Sequence, residues 1–326
     1  MTEERKSMLQ CVQIGLVTSD LPGSLQLYAE AFGYRNAGAQ CSWGSVNAIQ
    51  GVAADSRHVT WWMVGDQAFF QMEIFSYSGP TERPLPADWR PCDHGWTRFG
   101  LIVADFDRCL KVLHRRGIRP IAPAVLKQGL RRVAIRDPYV GAIIEIIECD
   151  PRHPRGPVVT YVTSSVSDLE SARRFYADTL QLEIGPLENL HSAADEALWG
   201  LSQAERVGFL AKSGDIVLEI VQYHNPPGRP KPEDHDSSDQ GIMNIALGAR
   251  HGDVIVDALR SVAEAGLVPP KTFVNGDSVC GYITAREREI EFASFPENMD
   301  AVVGFAPTPI NFFGTYVKAD DLSSST

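Results

Sequence analysis

VQIGLVTSDL, residues Val12–Leu21, is a short apolar strand that stops at an aspartate placed where a helix needs an N-cap acceptor. The chain writes this corner again as RFGLIVADF (Arg98–Phe106), as YVTSSVSDL (Tyr161–Leu169) and, more loosely, as NIALGARHGD (Asn244–Asp253). A helical pattern follows each copy, and the first and third carry a tyrosine at the same place, Tyr28 and Tyr176. The second and fourth run to Gly117 and Gly266, as helix C-termini often do. Asp20, Asp105 and Asp168 stand at the capping position, whereas Asp253 lies two residues late.

Strand-like runs come next, and the last of each set holds one glutamate between apolar residues. These are QMEIF (Glu73), IIEII (Glu145), VLEIV (Glu219) and EIEFA (Glu291). The stretch from corner to glutamate is long from Gln13 to Glu73, short from Arg98 to Glu145, long from Tyr161 to Glu219 and short from Asn244 to Glu291. A strand–helix–strands unit is therefore paired and the pair duplicated, and a repeat of this kind outranks single-residue signals. Alternation turns the flanking apolar residues toward the helices and each glutamate toward the other face. The expected division is a first domain over 1–150, a second over 157–310 and a tail over 311–326, with CDPRHPRGP (Cys149–Pro157) as the boundary. SGPTERPLPADWRPCDHG and YHNPPGRPKPEDHDSSDQG join the two units inside each half.

The totals narrow the class. With 326 residues and 44% hydrophobic content the chain can bury two cores. A formal net charge of −11 argues against nucleic acid or an anionic membrane surface as partner. The N-terminus is polar, without an apolar core of signal-peptide length, and no segment is long and apolar enough to span a bilayer. Six cysteines without a CxxC pair suit a reducing compartment, so a cytoplasmic protein is expected, with room for a homodimer.

Four βαβββ units, each with a strand ending near Asp and a terminal (I/L/M)E(I/L/F) strand, resemble the vicinal oxygen chelate superfamily. RDPYVGAIIEIIE (Arg136–Glu148), LEIVQYHNPPG and IEFASFPENMDAVVGF are similar to unit endings of that group, and the resemblance runs from about Cys11 to Phe305. The superfamily includes glyoxalase I, methylmalonyl-CoA epimerase, bleomycin-resistance proteins and extradiol dioxygenases. The implied fold is α+β, with four βαβββ modules paired into two tandem glyoxalase-like domains. In the group, paired modules curl into a cup, into which the corner residue and the terminal glutamate point. Here that assigns Gln13, Glu73, Arg98 and Glu145 to one cup, and Tyr161, Glu219, Asn244 and Glu291 to the other. No corner carries the histidine that extradiol iron sites use, so ring cleavage is disfavoured. Gln13 and Glu73 match metal-binding members; Arg98 does not, because a guanidinium cannot ligate a cation.

These assignments carry physical expectations. Arg98 would sit between Glu73 and Glu145 as a structural ion pair, with Gln13 beside it, or would bind an anionic substrate oxygen. Glu219 and Glu291 would face each other with only Tyr161 and Asn244 as partners. They would then hold a divalent cation (Mg, Mn, Ca or Fe), share a proton, or be neutralised by an unplaced basic residue. The proton-sharing case makes Tyr161, Glu219, Asn244 and Glu291 a catalytic set for isomerase- or lyase-type chemistry on a small apolar or aromatic molecule. A sequestering binding protein and a divergent metal-dependent glyoxalase or dioxygenase are the alternatives. His58 is a further candidate for substrate contact, weighed against a structural role. Trp43 and Trp199 hold comparable sequence positions.

Overall fold

The computed structural model describes residues 9–53, 55–79, 82–266, 271–275, 278–285 and 287–312. Each module has four strands. Module one holds β1 (Gln10–Val17), β2 (Arg35–Trp43), β3 (Arg57–Val64) and β4 (Gln71–Gly79). Module two holds β5 (Gly95–Val103), β6 (Val125–Lys127), β7 (Leu130–Arg136) and β8 (Ile143–Glu148). Module three holds β9 (Val158–Ser165), β10 (Glu183–Pro186), β11 (Glu205–Ser213) and β12 (Ile216–Asn225). Module four holds β13 (Gly241–Ala249), β14 (Lys271–Asn275), β15 (Ser278–Ala285) and β16 (Arg288–Ser294). The module helices are α1 (Leu21–Leu27), α2 (Phe106–Arg115), α3 (Leu169–Arg173) and α4 (Gly252–Glu264).

The corners form for the local reasons their sequence suggests. Asp20 accepts from Gly23 N (3.0 Å), Asp105 from Arg108 N (2.9 Å) and Asp168 from Ser171 N (2.9 Å). Asp253 does not cap; α4 starts behind His251 without a side-chain bond. In modules one and three the helix passes into a π-helical turn, Tyr28–Phe32 and Arg174–Thr179, which buries Tyr28 and Tyr176. The surplus length of these modules also lies between their second and third strands. It forms a helical turn at Ser45–Ile49 in module one and 3₁₀ segments at Leu187–Asn189 and Ala193–Trp199 in module three.

The first and last strands of every module pair in parallel, and the repeat holds to the residue. Gly15 stands opposite Glu73, Gly100 opposite Glu145, Thr163 opposite Glu219 and Ala246 opposite Glu291. The position two residues earlier is the corner residue each time. Two eight-stranded sheets result, ordered β14-β15-β16-β13-β1-β4-β3-β2 and β10-β11-β12-β9-β5-β8-β7-β6. Module one therefore shares a sheet with module four through the antiparallel pair β1–β13, and module two with module three through β5–β9.

This corrects the expected pairing of modules one with two and three with four. Linker reach explains it. Cys149–Pro157 needs only to step across one neighbouring strand, from β8 past β5 to β9, a distance of about 10 Å at normal strand spacing. The longer proline-rich connections cross from sheet to sheet. They run side by side and share a pattern, RPLPADWRPCDHG (Arg83–Gly95) and RPKPEDHDSSDQG (Arg229–Gly241). Each arginine grips the acids of the other strap. Arg83 forks onto Asp239 (2.7 Å) and reaches Asp234, while Arg229 forks onto Asp93 (2.7 Å) and reaches Asp88. Backbone bonds repeat the exchange, from Gln240 N to Arg83 O and from His94 N to Arg229 O, both 2.9 Å. Bidentate forks fix geometry where single exposed pairs would add little.

One apolar core runs through both sheets. It takes Ile14, Leu16, Met72 and Ile74 from the first and Phe99, Leu101, Ile144, Ile146, Leu218 and Ile220 from the second. Helix residues such as Cys109, Val112, Phe175, Ile255 and Val262 join it. The glutamates point to the opposite faces, as alternation requires. All six cysteines are free, and among the described residues no helix is long and apolar enough to cross a membrane. The tail from residue 313 onward lies outside the described residues.

Candidate active site

The sheets curl into two cups, each built from two modules, with contrasting chemistry. The cup of modules two and three brings together Arg98, Glu145, Tyr161 and Glu219, all with no solvent exposure. Arg98 Nη2 donates to Glu219 Oε2 (2.8 Å) and Nη1 to the Tyr223 hydroxyl (3.1 Å). Thr163 donates to the same Glu219 oxygen (2.6 Å), and Tyr161 donates to Glu145 Oε2 (2.6 Å). Arg132, from β7, reaches Glu145 Oε1 at 3.2 Å. The 3₁₀ insert covers the cup. His191 bridges the carboxylates, with Nδ1 2.7 Å from Glu219 and Nε2 3.3 Å from Glu145. Glu196 receives Tyr223 (2.8 Å) and Trp199 Nε1 (2.7 Å) and pairs with Arg206, while Arg98 stacks 4.2 Å from the Trp199 ring centroid.

Three carboxylates thus meet three guanidiniums and an imidazole. Burial alone would raise the pKa of Glu219, but His191 and Arg98 override it and hold the carboxyl well below its usual range. Burial likewise opposes ionisation of Glu145, and His191 with Arg132 keeps it below the ordinary value. His191 goes the other way: burial disfavours its charge, yet the two carboxylates raise its pKa. This cup is filled and internally compensated, and removing one partner would strand a buried charge.

The cup of modules one and four holds Gln13, Glu73, Asn244 and Glu291, all nearly buried. It encloses a cavity of about 290 Å³ lined by Gln13, Glu73 and Glu291 with Trp62, Phe75 and Phe295. Ile49 and Gln50, from the module-one insert, form part of its wall. Among the described residues no Lys or Arg lines it. Where the closed cup has Arg98, this one has Gln13; where it has Arg132, this one has Thr60. Trp62 Nε1 donates to Glu73 Oε1 (2.7 Å). Glu291 is better supplied: Tyr282 donates to Oε2 (2.5 Å), Asn244 Nδ2 to the same oxygen (3.4 Å) and the Cys280 thiol to Oε1 (3.3 Å). Burial, reinforced by the charge of Glu291, pushes the Glu73 pKa up to about 8. Burial raises Glu291 too, against the pull of its three donors.

A glycine two residues after each first corner makes room for the opposite module. A Cβ on Gly15 would run into Asn244 Oδ1, and one on Gly100 would run into the Tyr161 ring at Cε1. The corner residues of modules four and three therefore cross over the neighbouring strand into the cup.

Several expectations change with this geometry. Arg98 compensates Glu219, not Glu73, which belongs to the other sheet. Glu219 and Glu291 do not face each other; Glu291 shares its cup with Glu73, and Tyr161 serves Glu145. The set Glu219, Glu291, Asn244 and Tyr161 is consequently split between two cups, because the modules pair one with four and two with three. His58 lies on the cup face of β3 but packs against Phe75 and Tyr77, away from the cavity lining, and burial lowers its pKa to about 4. Trp199 is buried over Arg98, whereas Trp43 is 68% exposed, so the two do not correspond. His191, Arg132, Thr163, Cys280 and Tyr282 escaped the sequence reading. Strand alternation in LRRVAIR would have placed Arg132 on the cup face; His191 sits in an irregular insert with no periodic signal.

No family profile and no curated protein matches the sequence. Solved structures do match. Glyoxalase I from Zea mays superposes with a TM-score of 0.58 at 13% identity over 91% of this chain and 95% of its own. A glutamate-to-glutamine point variant of that maize protein gives 0.59 at 12% identity, over 90% and 97%. A protein from Bacillus subtilis strain 168, described as a proposed dioxygenase, gives 0.55 at 14% identity, over 92% and 90%. The chain has the vicinal oxygen chelate fold, α+β, in the two-cup, four-module layout.

Proposed function

We propose that the cup of modules one and four is an acid–base site that moves a proton on a small, uncharged, enolisable molecule. The observation that carries this reading is a pair of buried carboxylates on one cavity that, among the described residues, has no cationic side chain lining it. The equivalent pair in the other cup is neutralised and sealed. The donors divide the labour. Three donors favour charge on Glu291, which acts as the base; Glu73, protonated at neutral pH, is the acid. Glu291 takes a proton from the carbon next to a carbonyl while Glu73 gives its proton to the carbonyl oxygen. Trp62 Nε1 then stabilises the Glu73 carboxylate so formed. Return of the proton from Glu291 to that carbon, with the enol proton passing back to Glu73, restores the carbonyl with its α-hydrogen exchanged, and delivery to the opposite face inverts the carbon. The lining of Trp62, Phe75 and Phe295 and the modest volume favour a small apolar or aromatic substrate.

A second reading rests on Asn244 Oδ1, buried with no hydrogen-bond partner. Among the described residues no three His, Cys, Asp or Glu side chains are grouped for a metal. Gln13, Asn244, Glu73 and Glu291 nonetheless offer oxygen donors and two charges, which suits Mg, Mn or Ca. Such an ion would supply Lewis-acid activation of a carbonyl oxygen.

The test is exchange of carbon-bound protons in D₂O, followed by NMR over a panel of aryl aldehydes and ketones with α-hydrogens, with EDTA and with Mn²⁺. Wild-type protein should exchange at least one of them, and Glu73→Gln and Glu291→Gln should lose more than about a hundredfold of the rate. Exchange equal in wild type and both variants, or binding of panel members without exchange in either condition, overturns the acid–base reading. Activity only with Mn²⁺ selects the metal form.

A further inference from the structure

A second cavity, of about 210 Å³, lies between the two straps, away from both cups. Its floor comes from the first residues of β5 and β13, Trp96 and Thr97 from one, Ile242 and Met243 from the other. Leu85, Pro86 and Trp89 form one wall, and Pro230, Pro232 and His235 the opposite one. The strap repeat places the walls in matched positions, but their chemistry differs: aromatic on one side, imidazole on the other.

The charges around this space are already paired. Asp93 and Asp88 are held by Arg229, Asp239 by Arg83, Lys231 by Glu289 (2.6 Å), and His94 faces Glu287 (2.9 Å). Nothing in that set is left to neutralise a charged guest. One polar group on the floor is unused: the Thr97 hydroxyl, in a residue 1% exposed, has no hydrogen-bond partner. A buried hydroxyl without a partner is costly and uncommon. Apolar cavities of roughly 150 Å³ accept benzene, so this one has room for a substituted ring.

We propose that the strap cavity is a second small-molecule site, for an uncharged aromatic compound with one hydroxyl or carbonyl group that bonds to Thr97. The site is independent of the acid–base chemistry assigned to the cup.

Fluorine NMR with 4-fluorophenol and fluorobenzene tests it on the full chain. Both probes should show saturable line broadening with wild-type protein. Leu85→Trp, a change on a half-buried strap position that fills the cavity, should abolish it. Thr97→Val removes a hydroxyl that bonds nothing in the protein, so the fold should hold. It should weaken 4-fluorophenol severalfold, up to about tenfold, and leave fluorobenzene unchanged. Ile49→Trp, which fills the cup cavity instead, should bind both probes normally. The proposal fails if wild-type protein binds neither probe at millimolar concentration, or if Thr97→Val leaves the phenol unaffected. It fails equally if Ile49→Trp, rather than Leu85→Trp, removes binding.

Discussion

Replacing Glu73 with glutamine should make the protein more stable at neutral pH. The carboxyl is buried, and its pKa stands at about 8 against an ordinary value of 4.5. A carboxyl whose folded pKa lies above its unfolded one contributes stability below the unfolded value, and that contribution is lost as pH rises toward the folded value. The window here runs from about pH 4.5 to pH 8. At 1.36 kcal/mol per unit, the loss is about 3 kcal/mol by pH 7 and about 5 kcal/mol by pH 8. Glutamine keeps an oxygen for Trp62 Nε1 and never ionises, so Glu73→Gln escapes this loss. It also spares Glu291 its neighbour's charge. Urea unfolding at pH 5, 6, 7 and 8 in EDTA reads the result. The variant should match wild type near pH 5 and pull ahead by several kcal/mol at pH 8. Parallel curves would refute the reasoning, because they would mean that Glu73 ionises in the fold as it does in water. If Mn²⁺ flattens the wild-type curve, a bound ion holds both carboxylates charged.

The closed cup should respond with the opposite sign. Glu219→Gln should cost about 3–5 kcal/mol at neutral pH, since it strands Arg98 and His191; because the carboxyl is held well below its ordinary 4.5, the cost should begin to shrink only below that value, which urea titrations at pH 7, pH 4 and pH 3 would show. Gln13→Arg should install in the open cup the guanidinium that Arg98 supplies in the other, flatten the alkaline loss of stability and abolish proton exchange in the D₂O assay. Gly100→Ala should destabilise by about 3 kcal/mol because its methyl would meet a locked tyrosine ring; Gly15→Ala meets the end of the Asn244 side chain and, less closely, the Phe75 ring, and should cost less, as paired thermal melts would record.

The module, the capping aspartates and the inward glutamates were legible because each is a local pattern. Period-two alternation and an Asp before a helix need no knowledge of the rest of the chain. Module pairing is not local. Every first strand offers the same kind of antiparallel edge, so β1 could meet β5 as readily as β13 on pattern alone. Linker reach and the crossed Arg–Asp grips decide between them. The shared RPxPxD pattern of the straps was the available signal. Misplaced pairing then misassigned partners: Arg98 and the four glutamates were identified individually, but Glu291 was matched with Glu219 instead of Glu73. His191 and Glu196 come from the insert that lengthens module three. Surplus length marks such a segment but does not say which of its side chains turns inward.

The short connection at Cys149–Pro157 has a consequence for any attempt to divide the molecule there. Neither fragment would own a complete sheet: β1 and β5 would leave with one piece, and their mates β13 and β9 with the other. Each fragment would display two raw backbone margins, a state proteins normally avoid. Severed halves should therefore seek each other in solution, and co-expressed they would rebuild both sheets as a heterodimer.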